Sequence, residues 1–515
     1  MAFITSQPLP EKTPLKTEAE RYLYVQGRRR ERTTGARTIT LFPGDNIQVA
    51  INKFSDGRGG TIFLKSGTYN IASSLTFYSN ISFLGEGIDK TIIDLGDNSG
   101  AGLHFFGTLR TIGGTISFTE GSATVTGSST TFTNASVGDY IYCYAGFLNF
   151  RGKISSITND TSLVLEKAFP LPTTSAGSNF FIFSAIENCE LRGLTVQNGN
   201  NPSATASVGI EYALNFGVEN VKVYDDSAGA GWILNSVFDS IFTNCKSYYN
   251  GNGSTDDGFS ITKASRVTFQ NCVSIGNAGE GFDLDYTSSS ELNFIYCVAD
   301  GNGQNGFALT GEATLISCRA MGNDLDGFDL AAADRTLLDG CSALDNGGDG
   351  IETNSLTDDV TIVNCKLQSN DGYGIQLLSG GTGIKIITPY FNSNASGTIN
   401  DLATNTFYQN IGSGTFTASN GANNNIDVGE NLLIRIAGPT GAFSISGIAA
   451  GVNGKRCILY NSTAQDMTIT NDATSTAANR ILTLTGADVT LTGTSAATFV
   501  YNLTDARWIL IGTQG

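Results

Sequence analysis

Between residues 190 and 395, apolar residues return about once every two dozen positions, and the polar residues between them keep step. Gly followed by a large apolar residue recurs at Gly209-Ile210, Gly231-Trp232, Gly258-Phe259, Gly281-Phe282, Gly306-Phe307, Gly327-Phe328, Gly350-Ile351 and Gly374-Ile375. A second file holds Cys245, Cys272, Cys297, Cys318, Cys341 and Cys365, each followed five residues later by Asn250, Asn277, Asn302, Asn323, Asn346 and Asn370. Earlier turns put Gly193 with Asn198, and Asn220 with Asp225, at the same offset, and Asn394 closes the last full turn. A 3.6-residue period is absent, which excludes helical repeats. Short strands between tight turns at this spacing predict coils of a parallel solenoid stacked at roughly 4.8 Å, so that equivalent residues form columns. Phe and Ile then stack inward, and Cys fills a tight corner. Asn supplies a left-handed turn and bonds to the amide above and below.

The flanks follow other patterns. Asp45 to Phe54 reads as a short helix with Asp45 as cap and with Ile47, Ala50, Ile51 and Phe54 on one face, placed to cover the open end of the first coil. Residues 112–184 and 412–515 alternate as strands without the coil signature, as small β-modules do. Residues 1–38 carry Pro8, Pro10, Pro14 and a basic run from Arg28 to Arg32 without periodicity. They read either as a solvated tail or as an arm that orders on a partner. The expected division is 1–38 arm, 39–111 cap and first rungs, 112–184 inserted module, 185–411 main β-helix, and 412–515 C-terminal module.

Composition agrees with many short strands and tight turns: 62 Gly, 9 Pro, and only 15% charged residues. The net charge of −17 gives no general affinity for nucleic acid or anionic membrane, and favours neutral or cation-bridged glycans over bare polyuronates. Nine Cys, six of them in one file, point to packing and not to a disulfide framework. No run of 18 apolar residues indicates a membrane span, and the start lacks the basic-then-apolar order of a secretory signal. The chain is therefore expected to fold in a reducing cytoplasm.

Three stretches resemble known families. Gly44-Asp45-Asn46-Ile47-Gln48, Gly59-Gly60-Thr61-Ile62-Phe63-Leu64, Gly67-Thr68-Tyr69 and Leu84-Gly85-Glu86-Gly87 resemble the opening of the pectate-lyase-like β-helix superfamily, which includes phage tail spikes, polysaccharide lyases and mannuronan epimerases. The segment from Gly114-Thr115-Ile116-Ser117 through Val137-Gly138-Asp139-Tyr140-Ile141 to Ser162-Leu163-Val164-Leu165 is similar to a β-module of phage tail proteins. The run from Gly454-Lys455-Arg456-Cys457 to Ala506-Arg507-Trp508-Ile509-Leu510 is similar to the distal module of phage fibres. Together the resemblances touch about three quarters of the chain. They imply an all-β, right-handed single-stranded parallel β-helix with an N-terminal capping helix, an inserted β-module and a C-terminal module for trimerisation or receptor contact. They also imply a homotrimeric virion tail protein, exposed to the extracellular medium. It would dock to a tail or baseplate protein by its N-terminal arm, binding host surface polysaccharide and sometimes cleaving it.

Candidate chemistry lies in two columns beside the repeated Gly. Asp257, Glu280, Asn305, Asp326, Asp349 and Tyr373 precede it, while Ser260, Asp283, Ala308, Asp329, Glu352 and Gln376 follow the stacked apolar residue. The latter column points outward, because neighbours along a strand alternate. Asp329 and Glu352 fall one rung apart, on the order of 5 Å, and Asp283 and Asp285 share a strand face about 7 Å apart. Such pairs can act as acid and base or nucleophile on a glycosidic bond, can bind Ca²⁺, or can simply keep a solenoid soluble. The three readings stay open here. Asp326, Asp349, Tyr286 and Tyr373 are candidate glycan contacts, and no resident metal or cofactor is expected unless Ca²⁺ occupies the acidic face.

The run Glu280-Gly281-Phe282-Asp283-Leu284-Asp285 is similar to the Tyr-Gly-Phe-Asp-Pro-His motif of epimerases and lyases, which places Asp283 on the catalytic aspartate. Glu280 and Asp285 replace the tyrosine and histidine of that motif, and the only His, His104, is remote in sequence. Hydrolysis by paired carboxylates therefore fits better than elimination or epimerisation. Trp232 and Trp508 are expected in cores. The leading expectation is a tail spike or fibre that recognises host polysaccharide, with depolymerase activity as its extension. The alternative is a bacterial surface or secreted polysaccharide enzyme.

Overall fold

The computed structural model describes residues 37–98, 100–145, 148–177, 179–200, 206–285, 289–403, 407–409, 413–429, 431–449 and 451–515. The proposed docking arm therefore lies almost wholly outside the described residues, as does Tyr286. Thirty-three strands form one continuous parallel ladder running from Thr38–Leu41 to Phe407–Gln409. These coils are the parallel β-solenoid that the periodicity predicts, and the right-handed β-helix that the resemblance implies.

One coil shows the construction. After Cys272, Val273–Ile275 forms one face, Phe282–Asp285 a second and Leu292–Ile295 a third, before Cys297 begins the next coil. We refer to the faces that start with these strands as the cysteine face, the aromatic face and the return face. On the aromatic face Phe259, Phe282, Phe307 and Phe328 pair in register with Trp232 before them and Ile351 after. Ring centroids of Phe259, Phe282 and Phe307 lie 4.8 Å apart and nearly parallel. Phe242, Phe269 and Phe294 make a second stack at 5.0 Å. All are fully buried, which contributes about 1.5–3 kcal/mol per side chain from burial.

The six Cys are buried and unpaired. The Sγ atoms of Cys272, Cys297 and Cys318 sit 3.5, 3.4 and 3.3 Å from the carbonyl oxygens of Phe242, Phe269 and Phe294. The asparagine file forms an amide ladder. Asn250 Nδ2 donates to Asn277 Oδ1 at 2.8 Å, Asn277 to Asn302 at 3.0 Å, and Asn302 to Asn323 at 2.9 Å. The ladder continues through Asn346 and Asn370 to Asn394.

Four expectations need correction. The left-handed residue is not the file asparagine but the one before it: Tyr249, Gly276, Gly301, Gly322, Asp345 and Ser369 all have positive φ. The file asparagine is then free to turn its amide inward. In the early coils the phase slips by one: Lys222 pairs with Lys246, so Val221 and Asp226 match Cys245 and Asn250, and Leu194 and Gly199 precede them. Gly209-Ile210 likewise does not continue the aromatic file, because Val208 pairs with Trp232. The early strands are long, as in Ala206–Leu214 and Ala230–Thr243, and run through corners where later coils spend turn residues. Finally, the helix Ile47–Asn52 is capped by Asn46, whose side chain accepts from Val49 N at 3.0 Å, while Asp45 accepts from Phe42 N at 2.8 Å. The buried face of Ile47, Ala50, Ile51 and Phe54 joins the main core as expected.

Eight strands between Thr108–Arg110 and Phe180–Ser184 form an antiparallel sheet with a core of its own. Tyr142 and Phe183 of this module bury against Leu214 and Phe238 of the coils. Arg151 and Arg266 both grip Asp239 beside that seam, at 2.5 and 2.6 Å. Beyond the solenoid, sheets of six and four strands enclose a separate core around Trp508, whose Nε1 donates to Ile448 O at 2.8 Å.

Candidate functional site

The aromatic face carries the acidic strip. Because Phe and Ile point inward there, the residue after each points outward, and the register lines up Ser260, Asp283, Ala308, Asp329, Glu352 and Gln376. Asp329 and Glu352 are direct neighbours, about 4.8 Å apart at the backbone. Asp283 stands two rungs from Asp329, with Ala308 leaving a gap between them. Asp285 ends the strand Phe282–Asp285, pairing with Thr262. His104 belongs to the same outward file, through Gly209, Ile233 and Ser260, roughly 19 Å before Asp283 at that rung spacing. Its ring stacks on Phe106 at 4.7 Å, and burial pushes its pKa below the ordinary imidazole value.

The preceding file does structural work. Asp257 Oδ1 accepts from Glu280 N at 3.1 Å, and Asn305 Oδ1 from Asp326 N at 2.9 Å. Asp326 Oδ1 accepts from Asp349 N, and Asp349 Oδ1 from Tyr373 N, both at 2.5 Å. Asp326 and Asp349 thus stitch one turn to the next while their other oxygens remain beside the outward file. Tyr373 is held in this ladder by its backbone and is half-buried.

Crowding raises the acids. Burial pushes Asp329 up to about 6, with Glu280 adding repulsion. Burial also pushes Asp326 to about 6, with Asp349 and Asp329 adding to it. Glu352 reaches about 7, first from burial, then from the charges of Asp326, Asp329 and Asp349. Protonated Glu352 bonds to the Asp349 carboxylate, which keeps the proton on Glu352. The site therefore holds two adjacent, half-buried carboxyl groups that straddle their charged and neutral forms near neutral pH. Among the described residues, no group of three or more His, Cys, Asp or Glu is arranged to hold a metal ion.

Sequence reasoning placed Asp257 in the acidic column without giving it a role in the site, and passed over Asp256. Both are buried; Asp256 Oδ1 has no partner among the described residues, and burial beside Asp283 and Glu280 drives Asp257 strongly toward its neutral form. The consecutive acidic pair ahead of Gly258 was the available signal. Trp232 is fully buried and donates to Lys246 O at 3.3 Å, as expected of a core residue.

The model of the family described as right handed beta helix region matches residues 174–330 and 310–427. No curated protein sequence matches the chain. Among solved structures, the A-module of mannuronan C-5 epimerase AlgE6 from Azotobacter vinelandii is 16% identical, with 73% of this chain and 96% of that chain covered and a TM-score of 0.46. The tailspike gp49 of Pseudomonas phage LKA1 is 14% identical, with 82% and 80% covered and a TM-score of 0.43. The Gp54 tailspike of Acinetobacter baumannii bacteriophage AP22, solved with a capsular saccharide, is 13% identical, with 87% and 79% covered and a TM-score of 0.43. Among the described residues, no helix is long and apolar enough to cross a membrane.

Proposed function

We propose, from the match of residues 174–427 to the right handed beta helix region, that the chain is a tail spike or tail fibre of a phage-like particle. In this reading its acidic strip meets and hydrolyses host surface polysaccharide. One observation carries the chemistry: Asp329 and Glu352 are register neighbours on the outward surface, and burial, aided by nearby carboxylates, shifts both toward neutral pH. Glu352, protonated against Asp349, is placed to donate a proton to the glycosidic oxygen. Asp329, the more acidic partner, is placed to attack the anomeric carbon. Register neighbours about 5 Å apart at the backbone can bring their carboxyl groups to the close spacing of the double-displacement route, in which configuration is retained. Asp283 lies farther along the strip, where it can orient a neighbouring sugar unit.

The virion role is supported by the likeness of the inserted module and the C-terminal run to modules of phage tail proteins and fibres. Homotrimerisation and attachment through the arm belong to the same reading. Ca²⁺ is not required by the proposed step. Incubation with capsular polysaccharide should release new reducing ends of retained configuration, and Glu352→Gln or Asp329→Asn should lower the rate by about 10²–10⁴-fold. Absence of new reducing ends would reject cleavage, and a particle of 54.2 kDa by light scattering would reject the trimer.

A further inference from the structure

The turn position before the asparagine file is left-handed from Asp225 to Ser393, and every other coil fills it with Gly, Asp or Ser. Tyr249 is the exception, at φ 55°, in a conformation that a bulky side chain disfavours. Burial does not compensate it, because Tyr249 is 59% exposed. Its ring lies over Gly276 of the next coil, where an added Cβ would come within 2.6 Å of ring atoms. At the opposite corner of the same cysteine face, Tyr296 takes another left-handed position at φ 54° and is 56% exposed, where neighbouring coils use Asn271 and Ser317. Strain held at an exposed aromatic residue is a mark of function rather than of packing.

The surface beside Tyr249 has a definite chemistry. Tyr224 stands edge-on to Tyr249 at 6.2 Å, and Tyr248 lies 6.4 Å from it. Lys222 and Lys246 are register neighbours, lying over the rings of Tyr224 and Tyr248 at 5.6 and 5.9 Å. Lys222 is paired with Asp89, whereas Lys246 has no carboxylate within 4 Å among the described residues. Asp89 also feels the Lys246 charge from beyond that distance, so the two ammonium groups share one carboxylate, and in a chain of net charge −17 that local positive excess marks a place that an anion can approach.

We propose that Tyr224, Tyr248, Tyr249 and Lys246 form a binding platform for an acidic polysaccharide, on a different face from Asp329 and Glu352. Pyranose rings stack on the tyrosines, and a sugar carboxylate meets the Lys246 ammonium. The inference rests on the reading that this protein meets glycans, and it adds a docking site remote from the cleaving pair.

The full chain would be applied to a printed panel of acidic and neutral bacterial polysaccharides, as wild type, Tyr249→Gly, Lys246→Gln and Glu352→Gln. The wild type should bind acidic members. Tyr249→Gly and Lys246→Gln should each weaken that binding at least tenfold, and Tyr249→Gly should leave the melting temperature unchanged or higher, since Gly suits the backbone. Glu352→Gln should keep its binding while losing cleavage. Platform variants that bind like the wild type, neutral members bound equally well, or no acidic member bound would each overturn the proposal. A change of oligomeric state in Tyr249→Gly would overturn it too, by showing that this face contacts another copy of the chain. Loss of binding in Glu352→Gln alone would sink the platform and leave the acidic strip as the glycan site. Intact binding with no cleavage by the wild type would sink the proposed hydrolysis and leave the platform.

Discussion

Two files of polar residues run along the same solenoid, and they behave in opposite ways. From Asn250 to Asn370 each amide donates to the amide of the next coil, and from Asn277 to Asn394 each accepts from the coil before, so the file extends itself without charge. Asp326 and Asp349 of the other file can, once ionised, only accept, so they bond to backbone N–H groups and leave their charges facing the outward file. The first arrangement is fully satisfied inside the protein. The second stores repulsion at the surface, and the neighbouring Asp329 and Glu352 are driven toward their neutral forms by burial first and by nearby carboxylates second. One geometry thus gives adhesive or reactive chemistry according to whether the repeated group can donate as well as accept.

Asn302→Asp exchanges one behaviour for the other and should have the largest effect. Asn302 is fully buried, and its amide donates to Asn323 Oδ1 at 2.9 Å and Ser274 O at 3.3 Å. A carboxylate there would face two acceptors, and urea unfolding at pH 8 should show about 3–5 kcal/mol lost, the cost of an uncompensated buried charge. An unchanged midpoint would mean that the ladder contributes little.

A smaller effect should appear as a pH dependence. Asp329 and Glu352 hold their protons to about 6 and about 7 in the folded protein, against about 4 when unfolded. The folded state therefore binds more protons between these limits, and the stability from these groups, complete below about pH 4, is lost as pH rises toward 7. Between pH 5 and 8 the wild type should lose more stability than the Asp329→Asn, Glu352→Gln double variant. Equal losses would contradict the raised acidities.

The smallest effect concerns the partner of Glu352. Asp349→Asn keeps an oxygen for Tyr373 N but removes the charge that holds the Glu352 proton. The alkaline limb of the cleavage profile should move to lower pH by about half a unit. A shift upward would mean that Asp349 does not face Glu352.

Much of this was legible in the sequence. The Cys and Asn files from Cys245 onward, the inward Phe stack and the outward Asp329 and Glu352 all follow from the spacing of glycines and apolar residues. The early phase was not legible, because a strand that runs through a corner, as Ala230–Thr243 does, changes the count without changing the residue types. The strained Tyr249 was hidden for a related reason. Nothing local distinguishes it from Tyr248 until stacking on Gly276 fixes which of the two takes the left-handed turn.

By itself, then, the sequence determined that coils of about two dozen residues stack, since only that arrangement buries every Phe, Ile and Cys of the repeat together. Only the tertiary structure decided which turn residue carries strain, which carboxylates stitch coils and which are raised toward neutrality. Those properties depend on burial and on neighbours one coil away, more than twenty residues along the chain, where hydrogen-bond distances and shared desolvation are set by register.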